Sequence, residues 1–360
     1  MNAFGGRASH AILSAMPDQL GARSAIGKGI SVDFPMEGRV PALHGKPSPV
    51  RYLALARYMQ NFDLVLTYNW GAMDAVMAHR LLSPFMRLPP LIHHEDGFNA
   101  DESERLDWRR NAFRRAALQT ARAIVVPSYR LEAIAREIWK GGTRVRRISN
   151  GIVVASYLAE PEPGGIPIFT RRPRDVVVGT VAGLRQVKDL PLLVRAMALC
   201  PRTVRLVIVG EGPERETIAQ AAVAAGVADR VSLVGFHANP AQYVGSFDIL
   251  ALSSLSEQQP IAVMEGMAAG LPRVAPPVGD IAQMVSARNA PFVVERDAEA
   301  LGSAITTLAG NKRLRTAIGA DNRLRAAQLF DDATMVASYD ALYADALGQP
   351  AGALSGITLI

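Results

Sequence analysis

Residues 175–181 read DVVVGTV and residues 204–209 read VRLVIV, and these two stretches decide the fold of the second half of the chain. Both are short runs of β-branched, apolar residues, which are typical of strands buried on both faces of a sheet. A strand, a helix and a second strand in this order predict a parallel pair joined by a helical crossover. The helix is indicated by apolar residues at helical spacing, namely Leu190, Leu193, Val194 and Met197.

The same alternation continues toward residue 330. Further strands are predicted at 231–234, 249–252, 273–275 and 291–294, and further helices at 214–225, 241–247 and 261–269. Short apolar strands that alternate with helices indicate a doubly wound parallel sheet with helices on both faces. We therefore predict a Rossmann-like domain over residues 175–330, with its ligand site at the carboxyl ends of the strands.

The first half repeats this α/β pattern less regularly and predicts a second Rossmann-like domain over residues 1–160. Its strands are predicted at 10–15, 63–66, 90–94, 123–126 and 144–148, with a helix at 72–82. The Pro- and Gly-rich residues 161–174 indicate a linker. A helix at 331–347 is expected to pack back onto the first domain, and the Gly-, Ala- and Ser-rich tail 348–360 is expected to be flexible.

The composition of the 360 residues is that of a folded globular protein, with 49% hydrophobic and 20% charged residues. The single Cys200 excludes an internal disulfide, and no Cys/His cluster has zinc spacing. We expect no metal site. The sequence has neither an apolar window of about 18 residues nor the apolar run of a secretory signal, so we expect a cytoplasmic protein.

The positive charge is concentrated in the first half. Residues 1–150 contain 21 Lys and Arg against 13 Asp and Glu, whereas the remainder contains 18 against 20. On a helix, the stretch with the most Lys and Arg residues would form a basic face bordered by Trp108 and Phe113. This face is either simply solvated, or it contacts an anionic acceptor or the inner face of an anionic membrane. No nucleic-acid motif accompanies the charge, which argues against a nucleic-acid partner. The basic residues concerned are Arg105, Arg109, Arg110, Arg114, Arg115 and Arg122.

The strongest chemical signal is the stretch 253–270, SSLSEQQPIAVMEGMAAG. Glu257 lies in the loop after a predicted strand, and Glu265 lies eight residues later, one turn inside the next helix. Both carboxylates therefore lie near the carboxyl edge of the sheet. Carboxylates placed there can accept hydrogen bonds from sugar and ribose hydroxyl groups, and neither role requires a metal.

The start of the same helix is suited to an anion. Pro260 fits the beginning of a helix, where its missing N–H group does no harm. The backbone amides of Ile261 and Ala262 are then free of intrahelical partners and suit a diphosphate group.

Residues 253–275 resemble the retaining family 4 glycosyltransferases of the GT-B fold, whose hallmark is two glutamates separated by seven residues. The matching positions include Glu257, Pro260, Glu265, Gly270 and Pro272. The resemblance implies two Rossmann-like domains that face a cleft, Glu257 at the donor sugar and Glu265 at the nucleotide ribose. The chain departs from the family at residues 258 and 259, where two glutamines replace a glycine and a hydrophobic residue; Gln259 remains a candidate donor contact.

Residues 179–190, GTVAGLRQVKDL, resemble the family stretch that neutralises the donor diphosphate. Lys188 matches the family lysine. The family arginine falls on Gly183, and Arg185 is its nearest substitute. Fixed cations at these positions would stabilise the negative charge on a departing nucleoside diphosphate. Three further residues match family positions that line the donor, namely Gly210, Gly212 and Phe236.

In the first half, candidate site residues follow two predicted strands. By resemblance, His94 is expected at the reacting sugar, and Asp96, Asn69 and Trp70 on the acceptor side, with capping or packing as the alternative for His94 and Asp96. The family normally opens with a strand, a glycine-rich loop and a helix. This unit is expected to be absent, because the chain reaches its first predicted strand at residue 10.

Together, the motifs indicate a metal-independent, hexosyltransferase-like enzyme without a cofactor that moves a sugar, with retention, from a nucleoside diphosphate donor to a saccharide or lipid-linked acceptor. The alternative is an impaired nucleotide-sugar-binding protein, if the missing opening unit is essential. A nicotinamide-dependent oxidoreductase is disfavoured because no G-x-G-x-x-G fingerprint is present. A GT-B epimerase is disfavoured by the surroundings of the two glutamates.

Overall fold

The computed structural model describes residues 1–16, 20–35, 40–43, 45–98, 102, 106–161, 164–166, 169–352 and 354–360. The chain forms two compact units. The first unit comprises Met1–Gly97, Leu106–Ile148 and Met335–Ile360, and the second comprises Phe98–Arg105 and Ser149–Thr334. Arg105 and residues 162, 163, 167 and 168 of the predicted linker lie outside the described residues.

The described part of the first unit contains parallel strands and helices in alternation. The strands are β1 (Ala8–Ala11), β2 (Val32–Asp33), β3 (Val65–Tyr68), β4 (Leu91–His94), β5 (Ala123–Val126), β6 (Val145–Arg147) and, from the C-terminal end of the chain, β12 (Ile357–Leu359). The helices are α1 (Pro49–Met59), α2 (Met73–Leu82), α3 (Trp108–Ala117), α4 (Tyr129–Glu137) and most of α11 (Asp332–Leu347).

The strands of the first unit pair in the orders β12-β1-β2 and β3-β4-β5-β6, with every pair parallel. A parallel bridge between Leu64 and Leu359 joins the two groups. The Ile360 amide donates to Leu64 O at 3.2 Å, and the Leu66 amide donates to Ile360 O. The C-terminal strand β12 therefore lies between β1 and β3.

This arrangement corrects the expectation of a flexible tail over residues 348–360. Leu354, Ile357 and Leu359 are buried in one apolar cluster with Tyr343 of α11 and Leu64. A strand that is buried on its faces and hydrogen-bonded to neighbours on both sides is held by the core rather than by its own propensity. The first strand of the chain, β1, also begins earlier than the predicted 10–15.

The second unit contains β7 (Val176–Val181), β8 (Val204–Val209), β9 (Val231–Gly235), β10 (Ile249–Ala251) and β11 (Arg273–Val274), in the parallel order β11-β10-β7-β8-β9. Its helices are α5 (Leu190–Ala198), α6 (Arg215–Ala224), α7 (Ile261–Ala268), α8 (Ile281–Met284), α9 (Ala298–Gly310) and α10 (Lys312–Leu329). Apolar clusters lie on both faces of this sheet, which is the doubly wound architecture predicted from the sequence.

One predicted domain boundary and two predicted elements differ from the structure. The second unit begins at Ser149 rather than after residue 160, because Ile152 pairs with Asp331 and Tyr157 packs in the core of that unit. The predicted strand at 291–294 is a short 3-10 turn with a single bridge from Val293 to Ala275, and the predicted helix at 241–247 is two short 3-10 turns. In the described residues, no helix combines the length and the apolar character that a membrane span requires.

Candidate donor site

The candidate site lies at the carboxyl edge of the second unit's sheet, where β7 has β8 on one side and β10 on the other. From β7 the chain continues to β8 on one side, whereas β10 pairs with β7 on the opposite side. The strands β7 and β10 therefore lie on either side of a topological switch point. Loops that follow strands on either side of such a point diverge and leave a crevice for a ligand. Residues 182–189 follow β7 and residues 252–260 follow β10.

Lys188 and Glu257 meet in this crevice. The Lys188 ammonium group donates to Glu257 Oε1 at 2.6 Å, and the Ser254 hydroxyl donates to the same oxygen at 2.7 Å. The backbone of the two loops is also joined, since the Ser253 hydroxyl donates to Lys188 O at 3.0 Å and the Leu255 amide donates to Val187 O. Both charged side chains are thus held in place by the loops that carry them.

A cavity of about 410 Å³ opens beside this ion pair. Its walls include Lys188, Glu257 and the exposed Arg185, together with the first residues of α7. Pro260 caps α7, so the amides of the first helical turn, at Ile261 and Ala262, lie in the cavity wall. Arg185, Lys188 and the helix N-terminus favour an anion in this cavity, while the Glu257 carboxylate offsets one of the two positive charges.

A second cavity of about 560 Å³ adjoins the first, with which it shares residues 181–183 and the start of α7. Glu265 lies in its wall, as do Gly183, Gly210 and Phe236. The Phe236 side chain is 72% exposed and therefore available to stack against a flat ligand. The two acids at 257 and 265 thus border adjoining cavities on the same sheet edge.

Glu265 is buried and held by a tyrosine. The Tyr157 hydroxyl donates to Glu265 Oε1 at 3.1 Å. Burial raises the pKa of Glu265, and this effect outweighs the hydrogen bond from Tyr157 and the nearby Arg273 guanidinium, both of which lower it. Burial also lowers the pKa of Arg273 to about 9. A buried carboxylate with few donors has accepting capacity left for ligand hydroxyl groups.

The second unit also matches a known family. Residues 175–311, which include every residue of both cavities, match the family model of the glycosyl transferases group 1. This segment is therefore similar to a group 1 glycosyltransferase domain. A curated relative, N-acetyl-alpha-D-glucosaminyl L-malate synthase from Bacillus anthracis, is 27% identical over 170 residues, which are 46% of this chain and 45% of that protein. The chain therefore matches less than half the length of this relative.

Solved structures match the fold over most of the chain. Anabaena HepE in complex with UDP and glucose superposes with a TM-score of 0.73 at 18% identity, over 94% of this chain and 99% of that one. Sucrose-phosphate synthase from Thermosynechococcus elongatus superposes with a TM-score of 0.71 at 21% identity, over 90% of this chain and 85% of that one. The chain has the GT-B glycosyltransferase fold.

Two glycines that were predicted to line the donor are also required for backbone packing. Gly212 lines neither cavity, and a Cβ atom there would collide with the carbonyl of Leu184. Gly210 does line a cavity, but it too is required for backbone packing, since a Cβ atom would collide with the carbonyl of Ala182. Both have positive φ angles, which glycine adopts without strain.

Gln259, which was predicted as a donor contact, lines neither of the two cavities. Its side-chain oxygen accepts from the Asn150 amide at 2.7 Å, and its side-chain nitrogen donates to the Ser149 hydroxyl at 2.8 Å. The residue that replaces a family hydrophobic position therefore ties the loop before α7 to the first residues of the second unit.

His94 lies in the core of the first unit, which corrects the expectation that it faces a reacting sugar. Its ring stacks on Tyr68 with centroids 4.5 Å apart, its Nδ1 lies 3.3 Å from Thr67 O, and its Nε2 lies 3.2 Å from the Tyr343 hydroxyl. Burial is the main cause that lowers the pKa of His94 to about 3. A ring that is enclosed and neutral in this way packs the end of β4.

The predicted acceptor-side residues surround the ends of β3 and β4. Asn69 adopts a positive φ angle, and its side-chain oxygen accepts a hydrogen bond from the backbone amide of Asp96 at 2.8 Å. The side chain of Asp96 is exposed. Trp70 is half-buried and packs against Phe113 of α3. Of the predicted basic face on α3, Arg114 is instead buried, where it donates to Glu95 at 3.1 Å.

Sequence reasoning missed two residues of the candidate site. Ser254 completes the partners of Glu257, and Tyr157 completes those of Glu265. Ser254 lies within the stretch 253–270, three residues before Glu257, so its hydroxyl group could have been predicted as a partner of Glu257. Tyr157 lies 108 residues before Glu265 in the chain, and no pattern in the sequence links the two. Among the described residues, no cluster of His, Cys, Asp or Glu side chains could hold a metal ion.

Proposed function

We propose that this chain is a retaining, hexosyltransferase-like enzyme that moves a sugar from a nucleoside diphosphate donor to a saccharide or lipid-linked acceptor. The observation that carries the proposal is the convergence of Lys188, Glu257 and Glu265 on two adjoining cavities around the start of α7. One cavity supplies positive charge, and the other supplies a carboxylate and an exposed aromatic ring.

The leaving diphosphate is assigned to the cavity beside Lys188. Negative charge develops on the diphosphate as the glycosidic bond breaks, and preorganised positive groups stabilise it. Lys188, Arg185 and the amides of Ile261 and Ala262 supply such groups. In this account, Lys188 exchanges its bond to Glu257 for one to the diphosphate when the donor binds. These protein cations give the diphosphate its counter-charge without a resident metal or cofactor.

The nucleoside is assigned to the cavity beside Glu265. Its carboxylate would accept hydrogen bonds from the ribose hydroxyl groups, with Tyr157 holding it in position. Phe236 offers an aromatic face to the base. Glu257 would then orient the donor sugar through its hydroxyl groups, and we assign it no covalent intermediate. Retention is the outcome implied by the sequence resemblance.

The similar structure of Anabaena HepE is a complex with UDP and glucose, so nucleotide-sugars are the donors to test first. The purified chain would be incubated with labelled UDP-glucose, UDP-N-acetylglucosamine and GDP-mannose, and release of the nucleoside diphosphate would be measured. We expect slow hydrolysis of at least one donor, and faster turnover once an acceptor sugar is added. With an acceptor, NMR of the anomeric proton would show the α-configuration of the donor retained.

A variant at the site and a matched control variant distinguish loss of a catalytic group from loss of the folded structure. Lys188→Ala is expected to lower turnover strongly, whereas Lys312→Ala, which replaces an exposed lysine on α10, is expected to retain it. Tight donor binding without turnover by the wild-type chain would contradict the proposal and favour the impaired binding protein. An inverted product would contradict retention alone.

A further inference from the structure

A cavity of about 270 Å³ opens at the carboxyl edge of the sheet in the first unit. Its walls come from residues 11–15 after β1, from Val65–Tyr68 of β3, from α1 and α2, and from Ile360 after β12. All of these strands are parallel, and their carboxyl ends are where open α/β sheets bind ligands. Among the residues that the structure describes, those lining the cavity carry no charged side chain.

The cavity is apolar at its base and polar at its mouth. Leu55 and Met59 of α1 and Val65 of β3 are only 2–3% exposed and form the deep wall. The exposed Ser14 carries a hydroxyl group at the solvent side. Tyr68 also borders the mouth with an exposed fraction of 50%, while its hydroxyl group is hydrogen-bonded to Tyr343. A ligand that matches this gradient has a hydrocarbon part and a hydroxyl-bearing head.

The size is sufficient for such a hydrocarbon part. An apolar cavity of roughly 150 Å³ in another protein holds a benzene ring, and this one is larger and open to solvent. Displacing water from apolar walls with a hydrocarbon chain is favourable in proportion to the area covered. The mouth also lies next to the predicted acceptor residues, because Tyr68 directly precedes Asn69 and Trp70 in the chain.

We propose that this cavity binds the hydrocarbon chain of an amphiphilic acceptor, with the hydroxyl group that receives the sugar held at the mouth beside Tyr68. This inference rests on the proposed function, because the amphiphile is an acceptor only if the chain transfers sugar. It narrows the acceptor from a saccharide or lipid-linked compound to one that carries an apolar chain. Recognition would come from hydrophobic burial in the first unit, independent of the donor site in the second.

The test compares two probes that share a sugar and differ in their chain. Octyl β-D-glucopyranoside, kept below its micelle concentration, and methyl β-D-glucopyranoside would be titrated into the full chain by calorimetry. We expect the octyl compound to bind at least about tenfold more tightly, because only its chain can cover the apolar walls. Ala72→Leu and Ala75→Leu, two variants on the cavity wall, are each expected to remove this preference.

Ala116→Leu, at an exposed position of α3, is the matched control and is expected to keep the preference. Having two cavity variants guards against the failure of either one to fold. Equal affinity for the octyl and methyl compounds, or an octyl preference that survives both cavity variants, would overturn the inference. Glycosylation of methyl glucoside but not octyl glucoside would also overturn it. Binding of a nucleoside diphosphate is measured separately, and its absence would instead contradict the proposed function.

Discussion

The Lys188 ammonium group lies 2.6 Å from Glu257 Oε1, and Ser254 donates to the same oxygen. Three residues from two loops thus hold one another at the switch point of the second unit. The cation proposed to stabilise the leaving group and the carboxylate proposed to orient the sugar neutralise each other before the donor binds. A charge-assisted contact of this length gives both side chains a defined position.

Removal of the Lys188 charge is expected to slow catalysis more than it weakens binding. Lys188→Gln should lower kcat by about 10²- to 10³-fold, the range for loss of one preorganised group that stabilises developing negative charge. KM for the donor should change much less. Lys312→Gln on the exposed side of α10 is the control and should keep the wild-type kcat. A variant whose kcat is unchanged while KM rises would show that Lys188 binds the donor without favouring the transition state.

Replacement of Glu265 is expected to weaken the donor site and stabilise the fold. Because burial raises the pKa of Glu265, the folded state binds this proton more tightly than the unfolded state. Stability therefore falls as the pH rises from the usual glutamate pKa through the raised one. Glu265→Gln removes this cost, so the variant should have a higher Tm than the wild type at pH 7 and a similar Tm at acidic pH.

The same variant should lose donor affinity by about 10- to 100-fold, since hydrogen bonds to a charged group contribute roughly 1.5–3 kcal/mol. Calorimetric titration with a nucleoside diphosphate gives the affinity, and thermal unfolding at several pH values gives the stability. Glu299→Gln, an exposed position on α9, should change neither. An unchanged affinity for the nucleoside diphosphate would show that Glu265 is not part of the donor site. A lower Tm of the variant at pH 7 would show that burial of the Glu265 carboxylate does not destabilise the fold.

The C-terminal strand is expected to hold the first unit together. Leu359→Ala in β12 removes a buried side chain and should lower the free energy of unfolding by about 2–5 kcal/mol. All three tryptophans, Trp70, Trp108 and Trp139, belong to the first unit, so their fluorescence during urea unfolding reports on that unit. Leu324→Ala, at a side chain that is 67% exposed, should have little effect. Equal effects of the two variants would contradict a structural role for β12.

His94 is expected to stay neutral at physiological pH. Its pKa is lowered to about 3, chiefly by burial, so its ring should show the ¹⁵N NMR shifts of a neutral imidazole throughout pH 5 to 8. The unfolded chain takes up this proton near the usual histidine pKa, so the contribution of His94 to stability is present above that value and is lost as the pH falls toward 3. A ring that titrates near 6.5 in the folded chain would show that it is exposed.

The meeting of Lys188 and Glu257 could be predicted from the sequence because both residues follow strand ends. In a parallel doubly wound sheet, residues after β7 and β10 meet at one edge however far apart they are in the chain. The strand and helix patterns therefore placed Lys188 near Glu257, and the resemblance to known glycosyltransferases suggested their roles. Pro260 correctly indicated a helix start, since α7 begins at the next residue.

The features that the sequence did not reveal depend on tertiary contacts. Strand β12 lies in a Gly-, Ala- and Ser-rich tail, and its place between β1 and β3 comes from burial rather than propensity. His94 has the residue type of an acid–base catalyst, but only the packing of Tyr68 and Tyr343 shows that it is enclosed. Gln259 likewise has a partner at Asn150, 109 residues away in the chain.

In the proposed mechanism, one nucleoside diphosphate reaches Lys188 and Glu265 at the same time. A crystal structure of the chain with the nucleoside diphosphate that binds best in calorimetric titration would test it most directly. We expect the diphosphate within hydrogen-bonding distance of the Lys188 ammonium group and the start of α7, with the ribose hydroxyl groups on Glu265. A nucleotide bound elsewhere, with Lys188 still on Glu257 and Glu265 bonded only to Tyr157, would contradict the account.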